Sequence, residues 1–264
     1  MRYVAITSGK GGTGKTAVTI NLAICLSRRG QRVLIFDGDL GLANVDIQLG
    51  ISSRFNLSHV VTGQVELSDI LVAGPTGVHV LPGASGVVEM ENLTPEMHGH
   101  LLNGVKSLEE RFDIVLIDTG AGISNSVQLL NSAADEVIVV LTPDPSALMD
   151  AYAMVKLLAT RCNQVMVRVI VNQVRSLAEA NDVFERLRRV TKQFLPSELE
   201  LIGAIGFDPQ MQDAVRQGKP GVLLSPNSPS TSDLHNLATK WLAMPTPVGQ
   251  RQGSKFWERV LDRK

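Results

Sequence analysis

The sequence predicts an α/β fold: a mostly parallel, twisted sheet with helices on both faces. Short runs rich in Val, Ile and Leu recur along the chain, and segments of helical length and period separate them. Of the 264 residues, 44% are hydrophobic and 19% charged. Runs that are apolar at every position suit strands covered on both faces. Strand, helix, strand in regular succession implies crossover connections, which are nearly always right-handed. A chain of this length can bury about three quarters of its unfolded surface, so disorder is excluded as a whole-chain description.

In order, the expected strands are residues 3–7, 32–37, 78–81, 113–118, 136–142, 166–172 and 199–205. Segments 16–29, 95–111, 146–160 and 177–194 repeat apolar residues at three- and four-residue steps and read as amphipathic helices. No internal repeat or domain boundary interrupts residues 1–242. Residues 243–253 hold Pro245, Pro247, Gly249 and Gly253 without helical period and read as a linker. In 254–264, Ser254 can cap a short helix that places Phe256, Trp257, Val260 and Leu261 on one face. That stripe suits either a membrane surface or packing on the chain's own domain.

The formal net charge of -1 offers no bulk basic field for nucleic acid or an anionic bilayer. Two cysteines, Cys25 and Cys162, make no disulfide framework and lack partners at zinc-site spacing, which fits a reducing cytoplasm. The apolar run at the N-terminus is too short for a signal peptide, and no run of about 18 apolar residues could span a membrane.

Residues 9–16 read Gly-Lys-Gly-Gly-Thr-Gly-Lys-Thr, the pattern G-x-x-x-x-G-K-[ST], between an expected strand and an expected helix. Gly11, Gly12, Thr13 and Gly14 can turn backbone N–H groups around phosphate oxygens, and the helix beginning near Ala17 adds its dipole. Lys15 neutralises the terminal phosphates, and the Thr16 hydroxyl ligates magnesium. A glycine-rich turn that binds nothing is the plain alternative. Lys10 is a second lysine that the loop does not need in order to fold. It is either solvated or a phosphate contact.

Asp37 and Asp39 follow the second expected strand, at the sheet edge where open parallel sheets place ligands. Such a pair can position a water or support a metal shell, or it can simply cap a turn. The strand 113–118 ends in Asp118, the form of a Walker B carboxylate, and Gly120-Ala-Gly122 behind it permits backbone movement. Asn172 closes its strand with an amide that can pair with a purine edge or cap the strand end.

The box GKGGTGKT resembles the deviant Walker A motif of the MinD/ParA family of P-loop ATPases. Residues 39–46, 56–59, 82–86, 151–158 and 190–195 resemble its FlhG/FleN flagellar-number branch, with MinD proteins next. The resemblance implies an ATPase domain over residues 1–242 that uses ATP and Mg2+ and hydrolyses slowly. Lys10 then crosses an ATP-dependent homodimer to the partner's nucleotide, Asp39 orients the attacking water, and Asp37 supports the magnesium shell held by Thr16 and Asp118. Asn172 reads adenine together with Phe207 and Asp208. The tail becomes a membrane-targeting helix, so that the ATP-bound form is peripheral at the inner face of the cytoplasmic membrane.

Implied partners are FlhF, flagellar switch or C-ring proteins and a flagellar transcription regulator. The alternatives are a MinD-like division-site regulator and a ParA-like partition ATPase. The latter would need nonspecific DNA binding by a basic cluster such as Arg186, Arg188, Arg189 and Lys192. No second-substrate pocket for a metabolic phosphotransferase is visible in the sequence.

Overall fold

Eight strands form one sheet in the order β3-β4-β2-β5-β1-β6-β7-β8 in a computed structural model that describes residues 1–39, 44–83, 95–162, 164, 166–245 and 256–261. The strands are β1 (Arg2–Ser8), β2 (Val33–Gly38), β3 (Val72–Ala73), β4 (His79–Leu81), β5 (Ile114–Ala121), β6 (Glu136–Leu141), β7 (Met166–Val174) and β8 (Glu198–Gly206). Every pairing is parallel except that of β3 with β4, a two-residue edge ladder too short to carry a sequence pattern. The α/β expectation therefore holds. The 40–43 part of the flagellar-branch stretch, residues 84–86, most of the linker and Ser254 lie outside the described residues.

Alternation along β1 shows how the sheet divides two cores. Tyr3 and Ala5 enter one, with α4 (Pro95–Glu109), α5 (Asn125–Ala133), α6 (Pro145–Arg161) and α7 (Leu177–Phe194). Val4 and Ile6 enter the other, with α1 (Lys15–Ser27) and the late helix Pro229–Ala243, while the short helices α2 (Val45–Leu49) and α3 (Leu57–Val61) lie between β2 and β3 in the chain. With apolar side chains on both faces, β1 has no solvent face, as its unbroken hydrophobic run requires. The strands β5 and β6 flank β1, and the loop leaving the carboxyl end of β1 is the glycine-rich one.

At the amino ends of the strands lies a buried ionic cluster. Arg168 pairs with Glu136 at 2.7 Å, Trp241 Nε1 donates to the same carboxylate at 2.8 Å, and Arg168 Nη2 donates to the Pro245 carbonyl at 2.7 Å. The start of the linker is thereby fastened to the sheet.

The tail helix Phe256–Leu261 is docked on the domain. Phe256, Trp257 and Val260 are buried and Leu261 is partly buried against the same core as Tyr3 and Phe36. The Phe256 ring stacks on Tyr3 with centroids 4.4 Å apart, and Trp257 meets Phe36 at 5.4 Å. Arg259 reaches Asp135 at 3.2 Å, and the other Asp135 oxygen accepts the Tyr3 backbone N–H at 2.9 Å. The four residues expected to face a membrane thus face this chain's own sheet, because an aromatic stripe next to an open apolar patch buries itself there. In this arrangement segment 256–261 is part of the domain core.

Candidate nucleotide site

Strand ends and helix starts build the site at the carboxyl edge of the sheet. Gly12 and Gly14 both take left-handed backbone with φ of 81°, and Gly14 is the N-cap of α1, so the loop curls back onto a helix N-terminus. Gly9 serves packing, since a Cβ there would collide with the Asp150 carbonyl of α6. Beyond the loop opens a cavity of about 590 Å³. It is bordered by residues 10–17, by Asp39 and by the β7 and β8 ends. Thr13 Oγ1 is buried there without a hydrogen-bond partner, a polar atom that a bound ligand can satisfy.

Three side chains converge on Asp118. Lys15 Nζ lies 2.9 Å from Oδ1, the Thr16 hydroxyl donates to Oδ2 at 2.7 Å, and the Thr19 hydroxyl donates to Oδ1 at 3.1 Å. Thr19 was not visible as a site residue. Its position one helical turn after Lys15 was the available signal. On the neighbouring strand Asp37 is buried and accepts the backbone N–H groups of Asp39, Asn44 and Val45 at 3.1–3.2 Å. Burial, and then the Asp118 charge, push its carboxyl up to about 7 against those three hydrogen bonds.

Magnesium is satisfied by one or two carboxylates, water and substrate phosphate, and a hydroxyl beside two carboxylates suits that donor set. Among the described residues no group of three or more His, Cys, Asp or Glu could hold a metal by itself. Phosphate oxygens would have to complete the shell.

The remaining expected residues divide. Asp39 lines the cavity. Lys10 Nζ lies outside the loop's own curl, 2.9 Å from Asp144 Oδ2 and 2.6 Å from Ser146 Oγ at the start of α6. Phe207 borders the cavity with its ring half exposed, at 53%. Asp208 is committed elsewhere. It caps helix α8 (Pro209–Arg216) by accepting the Gln210 N–H at 2.9 Å, and it accepts the Ser230 hydroxyl at 2.7 Å. A base contact from that side chain would therefore have to displace local bonds. The Asn172 amide, expected on adenine, is bonded to the loop itself: Nδ2 donates to the Thr13 carbonyl at 2.8 Å. The cavity is also lined by Met211 and Val215 of α8, residues the sequence reading missed. Asp208-Pro209, a cap followed by proline, was the signal for that helix.

A mostly parallel sheet with a glycine loop closing on a helix N-terminus, a buried lysine and a strand-end aspartate defines a P-loop nucleotide-binding protein. A family model described as AAA domain matches residues 1–169. The antiactivator FleN of Pseudomonas aeruginosa is 37% identical over 99% of this chain and 94% of its own length. The flagellum site-determining protein YlxH of Helicobacter pylori is 33% identical over 98% of this chain and 90% of its own. The solved structure of the septum site-determining protein MinD of Pyrococcus horikoshii, complexed with Mg-ADP, superposes with a TM-score of 0.69 at 30% identity. That match covers 91% of this chain and 95% of that one. The chain belongs to the MinD/ParA family of P-loop ATPases, on the side of its FleN and FlhG flagellar regulators.

Proposed function

We propose that this protein is an ATP-driven dimerising switch that controls the number or placement of flagella. ATP with Mg2+ occupies the glycine loop, where Lys15 and the loop amides bind phosphate and Thr16, Asp118 and Asp37 hold the metal and its shell. Two copies then close face to face, each Lys10 reaching the nucleotide of the other. Asp39 orients water for slow hydrolysis, which returns the single chain. The flagellar role is drawn from the relatives FleN and YlxH.

The observation that carries this reading is the position of Lys10. Its ammonium stands at the mouth of the loop in an exposed pair with Asp144, whereas Lys15 already serves the loop interior. An exposed ion pair is worth about 0.2–1 kcal/mol, so a phosphate can draw Lys10 away at small cost. Met149 (68% exposed) and Ile123 (53%) are apolar groups on α6 and behind β5 that a second copy would cover.

Membrane binding through Phe256, Trp257, Val260 and Leu261 requires the tail to leave its seat. Each buried apolar side chain holds about 1.5–3 kcal/mol. Release must therefore be coupled to dimerisation or to a partner such as FlhF or a flagellar switch protein. A DNA-binding reading is weakened because Arg186 pairs with Asp182 and Arg188 with Glu185 on their own helix.

Gel filtration tests the proposal. With ATP and Mg2+, Asp39→Ala should elute as a dimer, and adding Lys10→Ala should return it to the single-chain volume. Elution of Asp39→Ala at the single-chain volume with saturating ATP would refute the switch.

A further inference from the structure

Two helices that follow distant strands meet beside the phosphate loop. The strand β2, which precedes α2, and β8, which precedes α8, stand five positions apart in the sheet, about 24 Å at the usual strand spacing. Their following segments nevertheless touch. A Cβ on Gly218, just past α8, would lie 3.0 Å from the Ile47 carbonyl oxygen, and one on Gly50, which ends α2, would lie 3.5 Å from the Gly218 carbonyl oxygen. Each side of this junction is fastened down. The Asp37 carboxylate accepts the N–H groups of Asn44 and Val45, both at 3.2 Å, and so holds the start of α2. On the other side the Met211 sulfur lies 3.7 Å from the Asn21 amide of α1, and Asn21 Oδ1 accepts the Val222 N–H at 2.9 Å. Leu49 and Met211 both pack on the core that α1 helps to form, so the junction lies over α1. Gln48 and Arg216, one from each side of it, line the same cavity as loop residues 10–17. Arg216 is held by Asp213 at 3.0 Å in an exposed pair. Gln48 is half-buried, and its carboxamide makes no hydrogen bond among the described residues.

We propose that Gln48 reads the sugar of the nucleotide: its carboxamide hydrogen-bonds the ribose hydroxyls of a nucleoside triphosphate and sets a preference for ribonucleotides over deoxyribonucleotides. The inference rests on reading the loop as the ATP site. The covalent order of the ligand supports it. With the phosphates on the loop and the base toward Asn172 and Phe207 at the ends of β7 and β8, the sugar lies between them, and the α2–α8 junction is the wall over α1 at that part of the cavity. A carboxamide carries a donor and an acceptor on one short fork, and each of two neighbouring hydroxyls can take either role. The Arg216 guanidinium only donates and already has a carboxylate, so the selective contact falls to Gln48.

The test is calorimetric titration of the full chain, with Mg2+, against ATP, 2′-deoxy-ATP, 3′-deoxy-ATP and inorganic tripolyphosphate, for the wild type, Gln48→Leu and Gln48→Ala. Both variants lose the carboxamide. Leucine keeps a side chain of similar size on α2 and guards against a folding failure of the alanine variant. The wild type should bind ATP roughly tenfold more tightly than at least one of the deoxynucleotides, as loss of one hydrogen bond implies. In the variants that ratio should fall to within about twofold, because ATP affinity drops to that of the deoxynucleotide, while tripolyphosphate binds as it does to the wild type. Equal wild-type affinity for ATP and both deoxynucleotides, or a ratio that survives in the variants, would overturn the proposal. Loss of tripolyphosphate affinity in step with ATP would also overturn it, since the side chain would then act on the loop and not on the sugar. Wild type that takes up neither ATP nor tripolyphosphate would instead overturn the site reading on which the proposal stands.

Discussion

Asp37 and Asp118 stand at the same register on adjacent parallel strands, both buried at the carboxyl edge of the sheet. Lys15, Thr16 and Thr19 serve Asp118, whereas among the described residues Asp37 accepts the backbone N–H groups of Asp39, Asn44 and Val45. Burial, and then the neighbouring Asp118 charge, push the Asp37 carboxyl up to about 7. Raised in the fold, this group favours the protonated state. Its contribution is complete below about pH 4 and is lost as pH rises through 7. In the metal-free chain, the unfolding free energy from urea titrations should fall across that window by an amount on the order of 4 kcal/mol at most. The slope should be smaller in Asp37→Asn, and Mg2+ with nucleotide should flatten it in the wild type. An identical slope in the variant would show that other groups set it.

Removing Asp118 should expose the other half of this arrangement. Lys15 is buried beside it at 2.9 Å, and a buried charge stripped of its partner costs roughly 3–5 kcal/mol. Asp118→Ala should therefore lower the melting temperature of the nucleotide-free chain as well as abolish magnesium-dependent ATP binding. Asp118→Asn, which still accepts hydrogen bonds, should retain more stability but no better metal response. Scanning calorimetry with and without Mg-ATP separates the two effects.

Two glycines in the site should respond oppositely to one added methyl. At Gly120 a Cβ would meet Val127 at 3.4 Å and the Asp39 carboxylate at 3.5 Å, ordinary contact on backbone that alanine can adopt. Gly120→Ala should keep stability within about 0.5 kcal/mol and leave ATP turnover close to that of the wild type. At Gly14 the methyl meets Asn172 on backbone with φ of 81°, so Gly14→Ala should cost about 1–3 kcal/mol and weaken ATP binding at least tenfold. Melting curves and ATP titrations on the pair check this.

The contrast shows where the sequence is readable. The loop, the lysine and the strand-end aspartates are legible because their spacing is local: a strand, a fixed number of glycines and a helix start leave few ways to arrange them. Contacts between distant segments are not legible in the same way. Nothing near Asn172 indicates that its amide would be bonded to Thr13, which is 159 positions away. Nothing near Glu136 announces Arg168 and Trp241 as its partners. The α8 wall of the cavity escaped because Met211 and Val215 look like ordinary helix residues until the fold brings them to the cavity that the loop also lines. The tail stripe was legible as apolar, but periodicity does not say whether lipid or the protein's own sheet covers it.

That last ambiguity yields a prediction with opposite outcomes. Phe256 stacked on Tyr3, and Trp257 against Phe36, make the tail a structural part of the nucleotide-free chain. Truncating a buried aromatic costs about 3–5 kcal/mol in a core, and a short terminal helix that can fray should lose roughly 2–4 kcal/mol. Phe256→Ala and Trp257→Ala should each shift the urea midpoint downward without nucleotide. Deletion of residues 254–264 should do at least as much, because it bares the Tyr3 and Phe36 rings. A tail held only by lipid would leave all three midpoints at the wild-type value. In vesicle flotation the docked tail predicts no binding of wild type without nucleotide and binding of Asp39→Ala with ATP, where two released tails act together and avidity rises by roughly 10² to 10⁴. Asp135→Asn removes the charge that holds Arg259 and should shift flotation toward lower ATP concentrations. Flotation that ignores ATP would mean that the docked seat does not control the tail.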